Sequence, residues 1–301
     1  MSPVLPDPRN QDLIVHVGGT LLKRSEAKVS VFDSSVQGGD AVWEGLRVYR
    51  GRIFKLDAHL VRLRASARAM AFTDIPSNES IKQAIFETLR ANRMRDQVHV
   101  RLTLSRGTKV TSGMDPRFNQ SGPCLIVLAE WKPPVQPRDG IRLITSAIRR
   151  NSPQCIDSKI HHNNLINNIL AKIQANVAGV DDALMLDLNG FVSETNATNV
   201  FVVRQSTLIT PQADSCLPGI TRATVLEIAR NSSLPSLERN VTLAEVYSAE
   251  EMFTTGTMGE LCPVLEVDGR SIGTDAPGPI TRRLRELFAE LTLREGELVP
   301  A

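Results

Sequence analysis

Several features that would each point to a class of protein are missing from this chain. Its four cysteines, Cys124, Cys155, Cys216 and Cys262, are scattered, with no CxxC pair and no histidine set beside them. That spacing speaks against a zinc site or a disulfide framework and leaves four separate reduced thiols, so no metal is expected. No apolar run reaches the length of a membrane span. The start, Met1-Ser2-Pro3-Val4-Leu5-Pro6-Asp7-Pro8, has neither the basic region nor the apolar core of a secretory signal. A cytoplasmic protein without membrane contact is the expectation. Charge of one sign is lacking as well: 35 basic and 33 acidic residues leave a net charge of +2 with no long runs, which argues against nucleic acid as a partner. Internal repeats, low-complexity tracts and heptads are absent. What remains is an ordinary globular composition of 301 residues, 42% hydrophobic and 23% charged, enough for one large or two medium domains.

The strongest punctuation is Lys132-Pro133-Pro134-Val135-Gln136-Pro137-Arg138, which can be neither helix interior nor central strand. It predicts a small domain over residues 1–131, a linker over 132–138 and a larger domain over 139–301. In the first part, 13–17, 41–49, 98–105 and 124–129 read as strands. Asp57 reads as the N-cap of a helix carrying Leu60, Leu63, Ala67 and Met70 on one stripe, and a second helix covers 79–92. In the second part, helices are expected at 163–178, 221–230 and 279–293. Asn189-Gly190 predicts a hairpin between 183–187 and 191–193, with further strands at 199–204, 207–210, 237–241, 251–255 and 262–267. The class is α+β.

Against that background Lys159 and Glu194 stand out, together with Leu217-Pro218-Gly219-Ile220-Thr221-Arg222 and Thr255-Gly256-Thr257. Pro218-Gly219 is a turn and Thr221 opens an apolar-periodic helix, so free N–H groups and a positive dipole end point at one spot, where a phosphate would sit. An amine, a carboxylate and two phosphate cradles are what pyridoxal 5'-phosphate needs: a lysine for its aldehyde and an acid to keep its ring nitrogen protonated. A solvated surface lysine and a polar strand end are the ordinary fates of such residues, and only their company argues otherwise. A buried amine beside the cofactor is expected for Lys159; Lys172, on a solvent face of the next helix, is set aside.

The runs Lys159-Ile160-His161-His162-Asn163-Asn164-Leu165, Val192-Ser193-Glu194-Thr195-Asn196-Ala197-Thr198-Asn199-Val200-Phe201, Gly219-Ile220-Thr221-Arg222 and Gly256-Thr257-Met258-Gly259-Glu260 resemble class IV, fold-type IV aminotransferases. Val42-Trp43-Glu44-Gly45 and His59-Leu60-Val61-Arg62-Leu63 match the family's N-terminal part in the same order. The nearest likeness is to branched-chain-aminotransferase-like proteins. The resemblance implies a two-domain fold like that of D-amino-acid aminotransferase, with a small α/β domain and a larger barrel-like domain with helices. It implies Lys159 as the catalytic residue. For the cofactor it implies Arg62, Glu194, Gly219, Ile220, Thr221, Gly256 and Thr257, with Arg62 on the phosphate. It also implies a homodimer whose sites are completed by the neighbouring subunit.

On the substrate side the resemblance points to Trp43, His99, Arg101, Arg106, Met258 and Gly259. A buried Arg101 or Arg106 would form a fork for a carboxylate; Arg106 fits a D-amino-acid-like site and Arg101 a branched-chain-like one. Gly38, His99 and Asn164 stand where the branched-chain enzymes carry tyrosines, which weakens the substrate reading. The expected activity is amino transfer between an amino acid of branched-chain type and a 2-keto acid. The alternatives are a D-amino-acid or (R)-amine transaminase, an aminodeoxychorismate lyase, and a pyridoxal-phosphate-binding protein without turnover.

Overall fold

A computed structural model describes residues 5, 7–134, 139–274 and 277–300. The chain divides into two compact units. The first comprises Met1–Pro133, Ile160–Asn164 and Thr292–Ala301, and the second comprises Pro134–Lys159 and Leu165–Leu291. The change of unit at Pro133–Pro134 falls in the proline-rich stretch, of which residues 135–138 lie outside the described residues. Two later segments rejoin the first unit.

The first unit contains β1 (Ile14–Val17), β2 (Thr20–Lys23), α1 (Ser34–Gly38), β3 (Ala41–Tyr49), β4 (Arg52–Ile53), α2 (Leu56–Ala69), α3 (Asn78–Ala91), β5 (Val98–Ser105) and β6 (Cys124–Trp131). Its antiparallel core runs β4-β3-β5-β6-β1-β2, and a late strand, Glu297–Leu298, pairs with β4 at the edge. Alternation along β3 and β5 decides the faces. Val42, Leu46, Val100 and Leu102 point to the side where α2 and α3 pack Leu60, Leu63, Ile81 and Ile85, and that layer is the apolar core. Glu44 shares the parity of Val42 and Leu46 and is completely buried. Helix α2 starts two residues before the expectation. Lys55, in the left-handed region at φ 50, is the N-cap without a side-chain bond, and Asp57 lies in the first turn, where its charge favours the helix dipole.

The second unit holds β7 (Ile141–Thr145), α4 (Ile166–Ala178), β8 (Asp182–Leu186), β9 (Val192–Thr195), β10 (Asn199–Arg204), β11 (Thr207–Thr210), α5 (Ile220–Asn231), β12 (Ser236–Glu238), α6 (Leu243–Tyr247), β13 (Glu251–Gly256), β14 (Glu260–Val267), β15 (Arg270–Ser271) and all but the last turn of α7 (Pro279–Arg294). The strand order is β12-β11-β10-β13-β14-β7-β8-β9, with β15 on β14. Strand β9 ends that order, yet the turn Thr195–Thr198 leads directly into β10; Thr195 N–H donates to Thr198 O at 2.8 Å. A sheet with that connection curls on itself. Helix α4 begins at Ile166 rather than at 163 because the preceding residues are extended: Trp43 N–H donates to His161 O and Asn163 N–H to Ala41 O, each at 2.9 Å. The strand expected at 237–241 stops at Glu238, and α6 follows from a capping box, Thr242 with Glu245, a helix signal that the sequence carries at this spacing.

Candidate functional site

In the second unit, Glu194 lies on β9 and is only 5% exposed. Its Oε1 accepts from Arg150 Nε at 2.7 Å and its Oε2 from Asn199 Nδ2 at 3.2 Å. The same Asn199 amide donates to Leu217 O at 2.9 Å, so one side chain ties the carboxylate to the loop that opens α5. Gly219 caps that helix with no side-chain hydrogen bond, which leaves first-turn N–H groups for a ligand. A Cβ on Gly219 would lie 2.0 Å from Asn199 Oδ1, so only glycine allows the loop to approach Asn199 this closely. Asn199 faces Thr255 across the β10–β13 pairing, and Gly256 comes so close to Thr198 that a Cβ would meet its methyl at 3.1 Å. Thr257, Met258 and Gly259 form the turn that follows. The Thr255 hydroxyl is buried with no hydrogen-bond partner among the described residues. Glu194, the α5 start and the Thr255–Gly256 strand end are thus brought together through Asn199 and Thr198.

Lys159 ends the second unit's first segment, on a turn where its own N–H donates to Asp157 Oδ1 at 2.9 Å. The burial expected for its amine is not found: the residue is exposed, because protein atoms do not close over this turn. Next to it, Ser158 is buried and donates to Asn151 O at 3.3 Å, one residue from Arg150. Lys172, set aside above, binds the Asp181 carbonyl and the Asp182 carboxylate.

The first unit gathers a second cluster around Glu44. Arg62 Nε and Nη2 donate to its two oxygens at 2.8 and 2.7 Å, His59 Nδ1 lies 2.7 Å away and His161 Nδ1 3.2 Å. Burial alone would raise the Glu44 carboxyl, but the Arg62 guanidinium and then the histidines hold it well below its usual value. Burial pushes His161 down to about 4 against the pull of Glu44, and lowers His59 likewise. Both rings are therefore neutral near pH 7 and each donates through Nδ1.

On the other face of the same sheet Trp43 lies between two partners. His161 packs 3.9 Å from its ring centroid, and the Arg101 guanidinium sits 3.4 Å over the indole. Arg101 Nη2 also donates to Asn163 Oδ1 at 3.1 Å. Burial draws Arg101 down to about 10, with the Glu44 charge opposing that shift. His99, two residues away on β5, is pushed down to about 3 by burial and by the charges of Lys132, Arg47 and Arg101. Its Nε2 has no hydrogen-bond partner among the described residues and faces Gly45.

Arg106 is placed differently from the expectation of a substrate fork. Nε and Nη2 grip the Asp40 carboxylate at 2.6 and 3.1 Å, and Nη2 and Nη1 reach Met70 O and Ala71 O at 2.6 and 3.1 Å. Those contacts use four of its five donors and make it a strut between β5 and the end of α2. Asn164, at one of the missing tyrosines, donates to Gly39 O at 3.0 Å and pins the end of α1. Arg150, Asn199, Glu44 and His161 are the site residues that motif reading did not assign. For Arg150 no sequence signal existed, since it lies in an irregular segment outside every motif.

A family model, amino-transferase class IV, matches residues 41–267. The chain is 58% identical over 299 residues to branched-chain-amino-acid aminotransferase-like protein 2 of Arabidopsis thaliana, covering 99% of this chain and 54% of that protein; it therefore spans about half the length of that relative. It is 40% identical to the putative branched-chain-amino-acid aminotransferase of Methanocaldococcus jannaschii, covering 94% of this chain and 97% of the relative. Among solved structures, the branched-chain amino acid aminotransferase of Thermobaculum terrenum in its PLP-form (holo-form) superposes with a TM-score of 0.84 at 28% identity, over 94% of this chain and 94% of that one. The expected fold-type IV architecture is the one found. With the lysine motif, the buried glutamate and the uncapped helix start in place, this chain belongs to the class IV aminotransferases.

Proposed function

We propose that the chain is a pyridoxal-phosphate-dependent aminotransferase that moves an amino group between an amino acid of branched-chain type and a 2-keto acid. The observation that carries this reading is the second unit's grouping of a buried, hydrogen-bonded Glu194 with an uncapped α5 start, joined through Asn199. The orphaned Thr255 hydroxyl and the glycine-only approach at Gly219 fit a phosphorylated group there.

When bound, pyridoxal phosphate supplies an aldehyde that takes up the amino group and a ring that accepts the electron pair. In this reading the N–H groups of Ile220 and Thr221 and the groups of Gly256 and Thr257 would hold its phosphate; the Arg62 guanidinium, in the first unit, is given that task by the family resemblance alone. The Glu194 carboxylate keeps the proton on the ring nitrogen. Lys159 Nζ is the amine that would hold the cofactor, and it would move the proton at the substrate Cα. Arg101, desolvated and stacked on Trp43 without a carboxylate partner of its own among the described residues, takes a substrate carboxylate. Met258 and Gly259 are assigned to the substrate as backbone donors. The D-amino-acid alternative leaned on Arg106, whose donors are engaged by Asp40 and two carbonyls, so the branched-chain reading is preferred.

The active form is proposed to be a homodimer. Helix α4 exposes Ile166, Ile169, Leu170, Ile173 and Val177 at helical spacing, a continuous apolar stripe. Its one charged residue, Lys172, is turned aside to Asp181 and Asp182. An uncharged stripe of this kind suits the same stripe of a second copy across a two-fold axis. Among the described residues no helix is long and apolar enough to cross a membrane; a cytoplasmic location is proposed with the rest.

The reading is tested by incubating the chain with pyridoxal phosphate, reducing with borohydride and mapping peptides, then assaying branched-chain L-amino acids, D-amino acids and (R)-amines against 2-oxoglutarate and pyruvate. A pyridoxyl label on Lys159 and keto-acid formation from branched-chain donors are expected. No label, or a label confined to Lys172, overturns it.

A further inference from the structure

Arg150 lies outside the short motif runs quoted above, yet it grips Glu194. It is 6% exposed and its backbone N–H donates to Leu186 O at 2.9 Å. While Nε holds Glu194 Oε1 at 2.7 Å, Nη1 donates to Asn167 Oδ1 at 2.7 Å and reaches Asn168 Oδ1 at 3.4 Å. Those asparagines are themselves fixed: Asn167 Nδ2 donates to Arg149 O and Asn168 Nδ2 to Asn196 O, each at 2.8 Å. The guanidinium is thus locked against the first turn of α4 from one side and against the carboxylate from the other. A buried ion pair adds little stability over apolar packing of the same volume. What it does supply is a fixed charge and a fixed direction.

Nearby groups do not compete for that task. The Cys216 thiol is pushed up to about 12 by burial and then by the Glu194 charge, so it stays neutral. The Arg222 guanidinium is taken by Glu238, Pro211 O and the Thr210 hydroxyl. The segment after Arg150 runs to Lys159 and is clasped by the Ser158–Asn151 bond, so the cation that grips Glu194 also anchors the segment that carries the lysine.

We propose that Arg150 is a positioning residue: it holds the Glu194 carboxylate as an anion in the one orientation that meets the cofactor's ring nitrogen, and keys that orientation to α4 through Asn167 and Asn168. This rests on the pyridoxal-phosphate reading above. It assigns Arg150 no contact with substrate or cofactor.

The test uses the full chain with added pyridoxal phosphate and reads two quantities besides activity: the dissociation constant of the cofactor by absorbance titration, and the pH midpoint of the bound chromophore's visible spectrum. Arg150→Met is expected to weaken cofactor binding about 10- to 100-fold, by analogy with the loss when the outer partner of a metal ligand is removed, and to shift the chromophore midpoint in the same direction as Glu194→Gln. The double variant should be no worse than Glu194→Gln alone, because both changes act on one group. Arg150→Met with a wild-type midpoint and affinity while Glu194→Gln departs in both overturns the proposal, as does full additivity. Should Arg150→Met fail to fold by circular dichroism, Arg150→Lys and Asn167→Ala are read instead: each is expected to shift the midpoint part of the way, and wild-type spectra from both overturn the proposal. A wild-type chain that takes up no cofactor overturns the functional reading and this proposal with it, an outcome distinct from a labelled wild type with an indifferent Arg150.

Discussion

Arg62 closes on Glu44 through two parallel hydrogen bonds, Nε to Oε1 at 2.8 Å and Nη2 to Oε2 at 2.7 Å, with the carboxylate fully buried. The strand residue thereby fixes the plane of the guanidinium that the family resemblance assigns to the phosphate. Glu44→Gln leaves a mostly buried cation with half of its fork unmatched. Breaking a buried pair by removing one partner costs about 3–5 kcal/mol, so urea denaturation should show a loss of that order, with cofactor affinity falling too. A midpoint within experimental error of wild type would show that the pair is dispensable.

Stability should fall with acid in a window set by histidines. His161 is held down to about 4 and His99 to about 3, both from 6.5. In the unfolded chain both rings bind protons near 6.5, in the folded chain only well below that. Between those values the unfolded state binds more protons, so stability is fully present above about pH 6.5 and declines as pH falls toward 4. His161 alone would account for roughly 3 kcal/mol across the window. Urea midpoints at pH 7.5, 5.5 and 4.5 measure it; a flat profile contradicts the assigned burial.

The two arginines near the end of β5 should separate cleanly. Arg101→Leu is expected to raise KM for amino acids and keto acids while affecting carboxylate-free amines less, since only charged substrates lose a charge-assisted contact. Arg106→Leu is expected to lower stability with little change in KM, because it strips Asp40 and two carbonyls of their donor. Reversed behaviour in the steady-state and unfolding data would restore Arg106 to the substrate.

Gly219→Ala places a Cβ 2.0 Å from Asn199 Oδ1. Either the α5 start or Asn199 must move, and Asn199 holds Glu194. Overpacking of this kind costs typically about 1–3 kcal/mol. We expect weaker cofactor uptake, partly rescued in Gly219→Ala/Asn199→Ala, where the obstructing amide is gone. Absorbance titration of both variants decides; no rescue would mean that the helix start itself cannot shift.

Ile169→Glu puts a charge in the middle of the α4 stripe. Light scattering should show the dimer giving way to monomer with the circular dichroism spectrum unchanged. An active monomer in the wild-type protein would remove the dimer from the reading altogether.

What the sequence determined by itself was local. The hairpin at Asn189-Gly190, the amphipathic stripe of α2 and the glycine turn before α5 are properties of neighbouring residues, and the family motifs are likewise short runs, so the candidate lysine, glutamate and helix start could be named without coordinates. Tertiary structure decided the contacts between residues remote in the chain. Whether Arg101 or Arg106 stayed available depended on Asp40, 66 residues from Arg106; that Glu194 has a cationic partner depended on Arg150, 44 residues away. Charges of one type look alike along a sequence, and only folding chooses which of them are neutralised by a neighbour and which remain desolvated and open to a ligand.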